Sequence, residues 1–427
     1  AAGFEYAWEE PSASVLDVRL DAACTVHVAS NGANAVPMLW ERNYGKGRFV
    51  VNNHGMCEKV TRGLTAAAYS LLQDVFAYPV INSSVFFLDD FPSPVPMGNG
   101  EYIRKYFGRD ISSFYSNIWW PDMLKIAEKH GVRYTGVVIE DYSERTSGTF
   151  PRTTDTERFR YFGGLLLEKG GEIGIHGYNH MPLCPDGFDF LGKVDYETWP
   201  TANDMRSAIA ELMDFTKTLF PKNTISTYVP PSNILSAEGR AMLAESFPEI
   251  RTLSGVFLKE DYEYEQEFCV SDDGIVELPR IISGAILDPY MRWAAFNELN
   301  FQYVNSHFID PDDVLDEDRG AALGWNTLRD NLDGYMDWLY GAAPGLRNQT
   351  AAEASRAVQR YDCLTVDRTL ENGVYRLNLQ GFADEAYLLL RLDGRCQKIT
   401  GGSLEQVNGS LYVLRATAPE VTVVLAS

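Results

Sequence analysis

The sequence predicts an α/β fold in which parallel strand–helix units curl into an incomplete barrel, followed by a small all-β unit. Three observations predict it. Seven short apolar runs, at residues 85–88, 134–139, 172–175, 225–229, 250–253, 275–278 and 302–305, have the length and the β-branched and aromatic content of buried strands. Helical patterns at 121–129, 158–169 and 204–220 lie between them, and strands alternating with helices imply parallel pairing with right-handed crossovers. From residue 364 the pattern turns to alternation, at 374–377, 387–392, 411–414 and 421–425, with turns at Asp393-Gly394 and Asn408-Gly409.

Taken in order, residues 1–80 predict a partial α/β unit. Strands are expected at 15–20, 25–29, 36–40 and 48–52, and a helix over 61–75 with Leu64, Ala68, Leu71, Leu72 and Val75 on one stripe. Residues 37–52, PMLWERNYGKGRFVVN, resemble the closing hairpin of glutamine-amidotransferase-like domains. That resemblance implies a remnant, since neither a nucleophile elbow nor a Cys-His-Glu set accompanies it. His54 and Cys57 lie close together but lack a third ligand. Residues 81–312 form the barrel unit, somewhat shorter than the roughly 250 residues of an eight-fold barrel, and seven strands fit one left incomplete. A helical extension is expected over 313–361, with Leu328, Leu332, Tyr335, Met336 and Leu339 as a core stripe, and a small β domain over 362–427.

Composition narrows the partners. The 427 residues carry 37 basic against 59 acidic side chains, a net charge of −22. Nucleic acid and anionic membrane surfaces are therefore excluded as expected partners, because phosphate binding needs clustered Lys and Arg. An acidic surface tolerates a cationic polymer such as an amino-sugar chain, and the 12% aromatic content suits both a carbohydrate-handling surface and a large core. The six cysteines form no Cys-x-x-Cys pair, which argues against a zinc ribbon or disulfide scaffold; Cys363 and Cys396 are a candidate pair. No run approaches the ~18 apolar residues of a membrane span. The chain opens Ala-Ala-Gly without Met, so a trimmed signal, anchor or preceding domain is expected.

The chemistry-bearing residues follow strand ends. The run Val85-Phe86-Phe87-Leu88 ends in Asp89-Asp90, and the carboxyl end of a buried strand is where an α/β barrel keeps its functional groups. After the third strand comes Gly174-Ile175-His176-Gly177-Tyr178-Asn179-His180. Two histidines four apart share a face on a helical turn, and one Asp would complete a catalytic zinc-type set with an open position. The remaining carboxylate then serves as general base. Asn305-Ser306-His307 ends the seventh strand, with Asp310, Asp312 and Asp313 beyond it to hold the imidazole protonated as an acid.

An Asp-Asp ending the first strand, His-x-x-x-His after the third, a Pro-rich motif after the fourth and a late His resemble the polysaccharide deacetylase family, the NodB-homology domain. The match spans residues 82–310. It implies a distorted (β/α)7 barrel, a divalent metal, expected to be zinc, held by Asp90, His176 and His180, Asp89 as base and His307 as acid. The family's Arg-x-Pro-Tyr motif reads Val229-Pro230-Pro231-Ser232 here, so its arginine and tyrosine are missing. Arg280, in Leu278-Pro279-Arg280, is the candidate to hold Asp89 instead, and the Ser232 amide the candidate oxyanion donor. Asp288 or Asp273 is the candidate for the family's fourth motif. Such departures resemble a divergent branch acting on exopolysaccharides with flanking accessory domains.

The expected function is hydrolysis of N-acetyl groups on a polysaccharide or amino-sugar glycan, in an extracellular or cell-surface setting. Its alternatives are a non-catalytic glycan binder, a glycoside hydrolase pairing Asp89 with Glu140 or Asp141, and a deacylase of a small amide.

Overall fold

The computed structural model describes residues 14–31, 35–55, 58–92, 97–258, 263–392 and 394–426. Cys57 and Asp393, both named above, lie outside the described residues. An antiparallel sheet of β1 (Thr25–Ala29), β2 (Pro37–Tyr44) and β3 (Gly47–Asn52) opens the chain. The strand expected at 15–20 does not form. That stretch is mostly exposed, and it is tied instead by Asn53, whose side chain accepts from Leu16 N–H at 3.0 Å and donates to Leu16 O at 2.8 Å. The helix expected over 61–75 ends at Ser70, and Val75 begins a strand, β4 (Val75–Val80).

Nine strands form the central sheet: β5 (Ser83–Phe91), β6 (Tyr134–Val138), β7 (Glu172–Ile175), β8 (Thr227–Tyr228), β9 (Thr252–Leu253), β10 (Cys269–Val270), β11 (Val276–Glu277), β12 (Ile282–Ser283) and β13 (Val304–Ile309). Their order is β10-β11-β9-β8-β7-β6-β5-β13-β12, parallel except for β10 on β11. All seven expected runs fall on these strands; β10 and β12, two residues each, are additional. The stretch from β11 to β12 curls the sheet, because one short piece of chain serves both of its edges. Arg280 N–H donates to Gly255 O beyond β9, while Ile281 N–H donates to Ser306 O on β13.

Helices at Trp120–His130, Glu157–Glu168 and Ala202–Leu219 cross between strands, within two residues of the expected ends. Two further helices occupy the expected extension. Trp325–Ala342 packs its Leu328, Leu332 and Met336 stripe into the core. Ala351–Asp362, capped by reciprocal Thr350 and Glu353 bonds, seats its first amides on Thr135 Oγ1 at 2.9 Å and Glu172 Oε2 at 2.8 Å, at the amino ends of β6 and β7.

The C-terminal unit is two four-stranded antiparallel sheets built from β14 (Thr365–Glu371), β15 (Val374–Gln380), β16 (Ala386–Leu392), β17 (Cys396–Thr400), β18 (Gly402–Asn408), β19 (Leu411–Ala416) and β20 (Glu420–Leu425). One sheet runs β14-β15-β20-β17; the other runs β18-β19-β16-β4 and so takes its last strand from before the barrel. Both faces of β16 are covered. Leu388, Leu390 and Leu392 join the core between the two sheets, whereas Tyr387 and Leu389 join the barrel core, so the expected alternation is replaced by an apolar run from Ala386 to Leu390, interrupted at Arg391. Cys363 and Cys396 are both free. No helix of the described residues is long and apolar enough to cross a membrane.

Leu389, 2% exposed, lies on the barrel-facing side. Leu389→Ala is expected to cost about 2–5 kcal/mol, checked as a lower denaturant midpoint for the barrel signal as well as for the C-terminal unit.

Candidate metal centre

Asp89 and Asp90 stand at the carboxyl end of β5, on adjacent residues whose side chains leave a strand on opposite sides. Asp90 escapes that alternation by taking φ of 51°. The left-handed turn carries its carboxylate to the two imidazoles that follow β7. His176 Nε2 and His180 Nε2 each lie 3.7 Å from Asp90 Oδ1, and the two rings are 5.1 Å apart between centroids. The histidines do not share a helical turn, as their spacing suggests, but a loop. Gly177 (φ +79°) and His180 (φ 60°) bend that loop. A Cβ on Gly177 would meet Pro231 Cγ at 2.8 Å, so a glycine is needed here both for the angle and for the approach.

The ring nitrogens away from Asp90 are tied back. His176 Nδ1 donates to Val229 O at 2.9 Å, and His180 Nδ1 is 3.2 Å from the Tyr196 hydroxyl. Burial first, then Arg280, holds His176 down to about 3; burial, then His176, does the same to His180. Both rings are therefore neutral at physiological pH, the state in which imidazole offers a lone pair. Asp90 Oδ1 is buried and has no hydrogen-bond partner among the described residues. An orphaned carboxylate oxygen facing two neutral imidazole nitrogens is a donor set that fits a divalent cation. Burial, then Asp312, Asp310 and Asp89, lifts the Asp90 carboxyl well above its usual range in the bare protein.

Among the described residues, three groups of side chains have donors close enough for one ion. In the group of His130, Asp333 and Asp337, Lys129 Nζ already lies 2.8 Å from Asp333 and 2.9 Å from Asp337. In the group of Asp310, Asp312 and Asp313, Arg319 pairs with Asp310 and Asp313. Neither Lys nor Arg pairs with Asp90 among the described residues, which singles out the group of Asp90, His176 and His180.

Arg280 meets Asp89. Its Nη1 donates to Asp89 Oδ2, its Nη2 to Asn233 Oδ1, and its Nε to Gly255 O at 3.3 Å, with the guanidinium over the Phe308 ring at 4.1 Å. Both partners are buried, Arg280 at 2% exposure and Asp89 at 3%. Burial raises the Asp89 carboxyl and Arg280 opposes that rise. Asp89 Oδ1, in contrast, is buried with no partner among the described residues. Ser232 lies in the same cluster, with φ of 47° and its hydroxyl 2.6 Å from that of Tyr196.

The structure does not bring His307 to this cluster. Its ring lies against Phe86 at 5.3 Å and Tyr335 at 5.4 Å, and its Nε2 donates to Gly284 O at 2.7 Å. Phe308, the next residue, faces Arg280, so His307 turns to the other side of β13, beneath the helix that carries Tyr335. Burial lowers its pKa to about 4, the opposite of the expected rise. Asp288 caps the helix Pro289–Phe301, accepting from Met291 N–H, and Asp273 pairs with Arg240, so neither joins the site. Glu140 accepts from Thr153 N–H at 3.0 Å and Asp141 from the Ser143 hydroxyl, and neither is bonded to Asp89.

Sequence reasoning missed Asn233 and Tyr196. Asn233 directly follows the motif residue Ser232 and takes φ of 59°, a left-handed conformation that asparagine tolerates. Tyr196 lies in a long loop with no spacing signal.

A family model described as "Uncharacterised protein conserved in bacteria (DUF2194)" matches residues 14–413. The chain belongs to that family. No curated protein matches the sequence. Among solved structures, this DUF2194 chain is similar to Agd3, titled a novel carbohydrate deacetylase, with a TM-score of 0.50 at 10% identity, over 92% of this chain and 73% of that one. That likeness shows the fold. Also similar are a mutant of BA3943, titled a CE4 family pseudoenzyme with restored enzymatic activity (TM-score 0.35, 12% identity, 65% of this chain and 69% of that one), and a family 4 acetyl xylan esterase from Clostridium thermocellum in complex with a cobalt ion (0.30, 12%, 62% and 96%).

His176→Ala removes one of three donors, and elemental analysis of the variant after loading with zinc is expected to show loss of the bound equivalent found in the unaltered chain.

Proposed function

We propose that the chain is a metal-dependent hydrolase that removes N-acetyl groups from a polysaccharide or amino-sugar glycan, on a distorted (β/α)7 barrel. The observation that carries the reading is the buried Asp90 Oδ1, without a hydrogen-bond partner among the described residues and 3.7 Å from both imidazole nitrogens. Asp90, His176 and His180 would hold the ion, and two nitrogens with one oxygen and an open position suit zinc. A bound divalent ion supplies Lewis acidity, which polarises the acetyl carbonyl and makes water a nucleophile at neutral pH.

The chain's own residues perform the rest. Arg280 occupies Asp89 Oδ2, leaving Oδ1 as the atom that takes the proton from the attacking water. The same carboxyl then hands that proton to the departing amine, since His307 is turned away behind β13. The Ser232 amide would donate to the developing oxyanion. A shared fold with Agd3, titled a carbohydrate deacetylase, supports the substrate class. A polymeric glycan in turn implies an extracellular or cell-surface setting.

The test is acetate release from N-acetylated oligosaccharides by the zinc-loaded chain. Asp89→Asn is expected to lose about 10²–10⁴-fold in rate while keeping its metal; undiminished acetate release would sink the assignment of the base. His307→Gln is expected to keep the wild-type rate and to lower the melting temperature, because its ring fills the layer between sheet and helix. A rate loss in that variant at full metal content would restore the histidine to the reaction.

A further inference from the structure

His176 and His180 are anchored by different means. A backbone carbonyl, Val229 O, can only accept, so it fixes a proton on His176 Nδ1 and frees Nε2. The group beside His180 Nδ1 is a hydroxyl, which can donate as well as accept. If the Tyr196 hydroxyl donated to Nδ1, the proton of the neutral ring would sit on Nε2, and the ring could not serve as a ligand.

We propose that Tyr196 is a positioning residue for His180, and that Ser232 sets its direction. Ser232 Oγ lies 2.6 Å from the phenol oxygen. The tyrosine proton goes to Ser232, and the phenol oxygen then accepts from His180 Nδ1–H. Nε2, which faces Asp90 Oδ1, is left with its lone pair.

The loop bearing Tyr196 is built to hold it there. Cys184, Phe190 and Ile234 form a small separate core, and Phe188, Val194 and Tyr196 pack against it. Trp199, buried at 1% exposure, donates from Nε1 to Pro182 O at 2.8 Å and closes the base of the loop. Ile234 belongs to the turn that also carries Ser232, so this core ties the two hydroxyls into one unit. The long connection after β7 thus forms a packed wall on the His180 side of the centre.

This proposal rests on the metal-centre reading, and cobalt(II) titration separates the two, followed by visible absorption and by competition with a chromophoric chelator. Tyr196→Phe keeps the ring and removes only the hydroxyl; Ser232→Ala leaves the hydroxyl but frees it to donate to His180. Both are expected to bind cobalt about 10–100-fold more weakly, with a changed visible spectrum and an unchanged melting temperature of the metal-free chain. Wild-type affinity and spectrum in both variants would overturn the proposal alone. A wild-type chain that takes up no cobalt would overturn the metal-centre reading and this proposal with it.

Discussion

Asp89 and Arg280 form a buried ion pair on which two features depend at once. Arg280 sits where the chain passes from pairing with β9 to pairing with β13, so its position is the position of the sheet's closure. Asp89 lies near the carboxyl end of β5, the strand next to β13. Desolvating both charges is expensive and a bare pair would not recover the cost, yet this guanidinium also bonds Asn233 and Gly255 O and lies on the Phe308 ring. These bonds satisfy the guanidinium while Asp89 keeps only its Oδ2 paired, and breaking the pair would leave a buried charge, typically a loss of about 3–5 kcal/mol. Orientation of Asp89 is therefore linked to the curl of the sheet.

The turn after β8 works in the same way for the imidazoles. Val229 O holds His176, Ser232 faces Tyr196 beside His180, and Asn233 holds the arginine. Three residues of one five-residue turn, flanking a proline pair, thereby contact His176, Tyr196 and Arg280 around the candidate ion site. Pro230 and Pro231 restrict the backbone, which favours a preformed turn over one ordered only on binding.

Legibility in the sequence followed the physics of each signal. The seven barrel runs were visible because strands buried on both faces are apolar without interruption. β10 and β12 were not: they are the two edge strands of the sheet, two residues each, and half-exposed at Cys269, Val270 and Ser283. Val75 completed a helical stripe by chance, and only pairing with β16 reveals it as a strand. At the site, Asp89, Asp90, His176 and His180 announced themselves by chemistry and spacing, and Arg280 by the cation missing at Val229. His307 misled because side chains alternate along a strand, so a shift of one residue decides between the barrel interior, where Phe308 points, and the helix layer. Sequence pattern at the end of β13 does not fix that parity.

Backbone cost is concentrated at the same place. Of the eight described non-glycine residues with positive φ, four are Asp90, His180, Ser232 and Asn233. Such conformations cost on the order of 1 kcal/mol or more each and persist only where the surroundings dictate them. At Asp90 the departure from strand geometry is what separates its carboxylate from that of Asp89. At His180 it brings the second imidazole round to the first across a loop rather than along a helix. A chain selected for stability alone would place glycine or asparagine at Asp90 and His180 and would not leave the buried Asp90 Oδ1 without a partner among the described residues. Strain, an unpaired oxygen and neutral imidazoles converge on one point of the barrel rim, which is why Asp90, His176 and His180 are the candidate ion site.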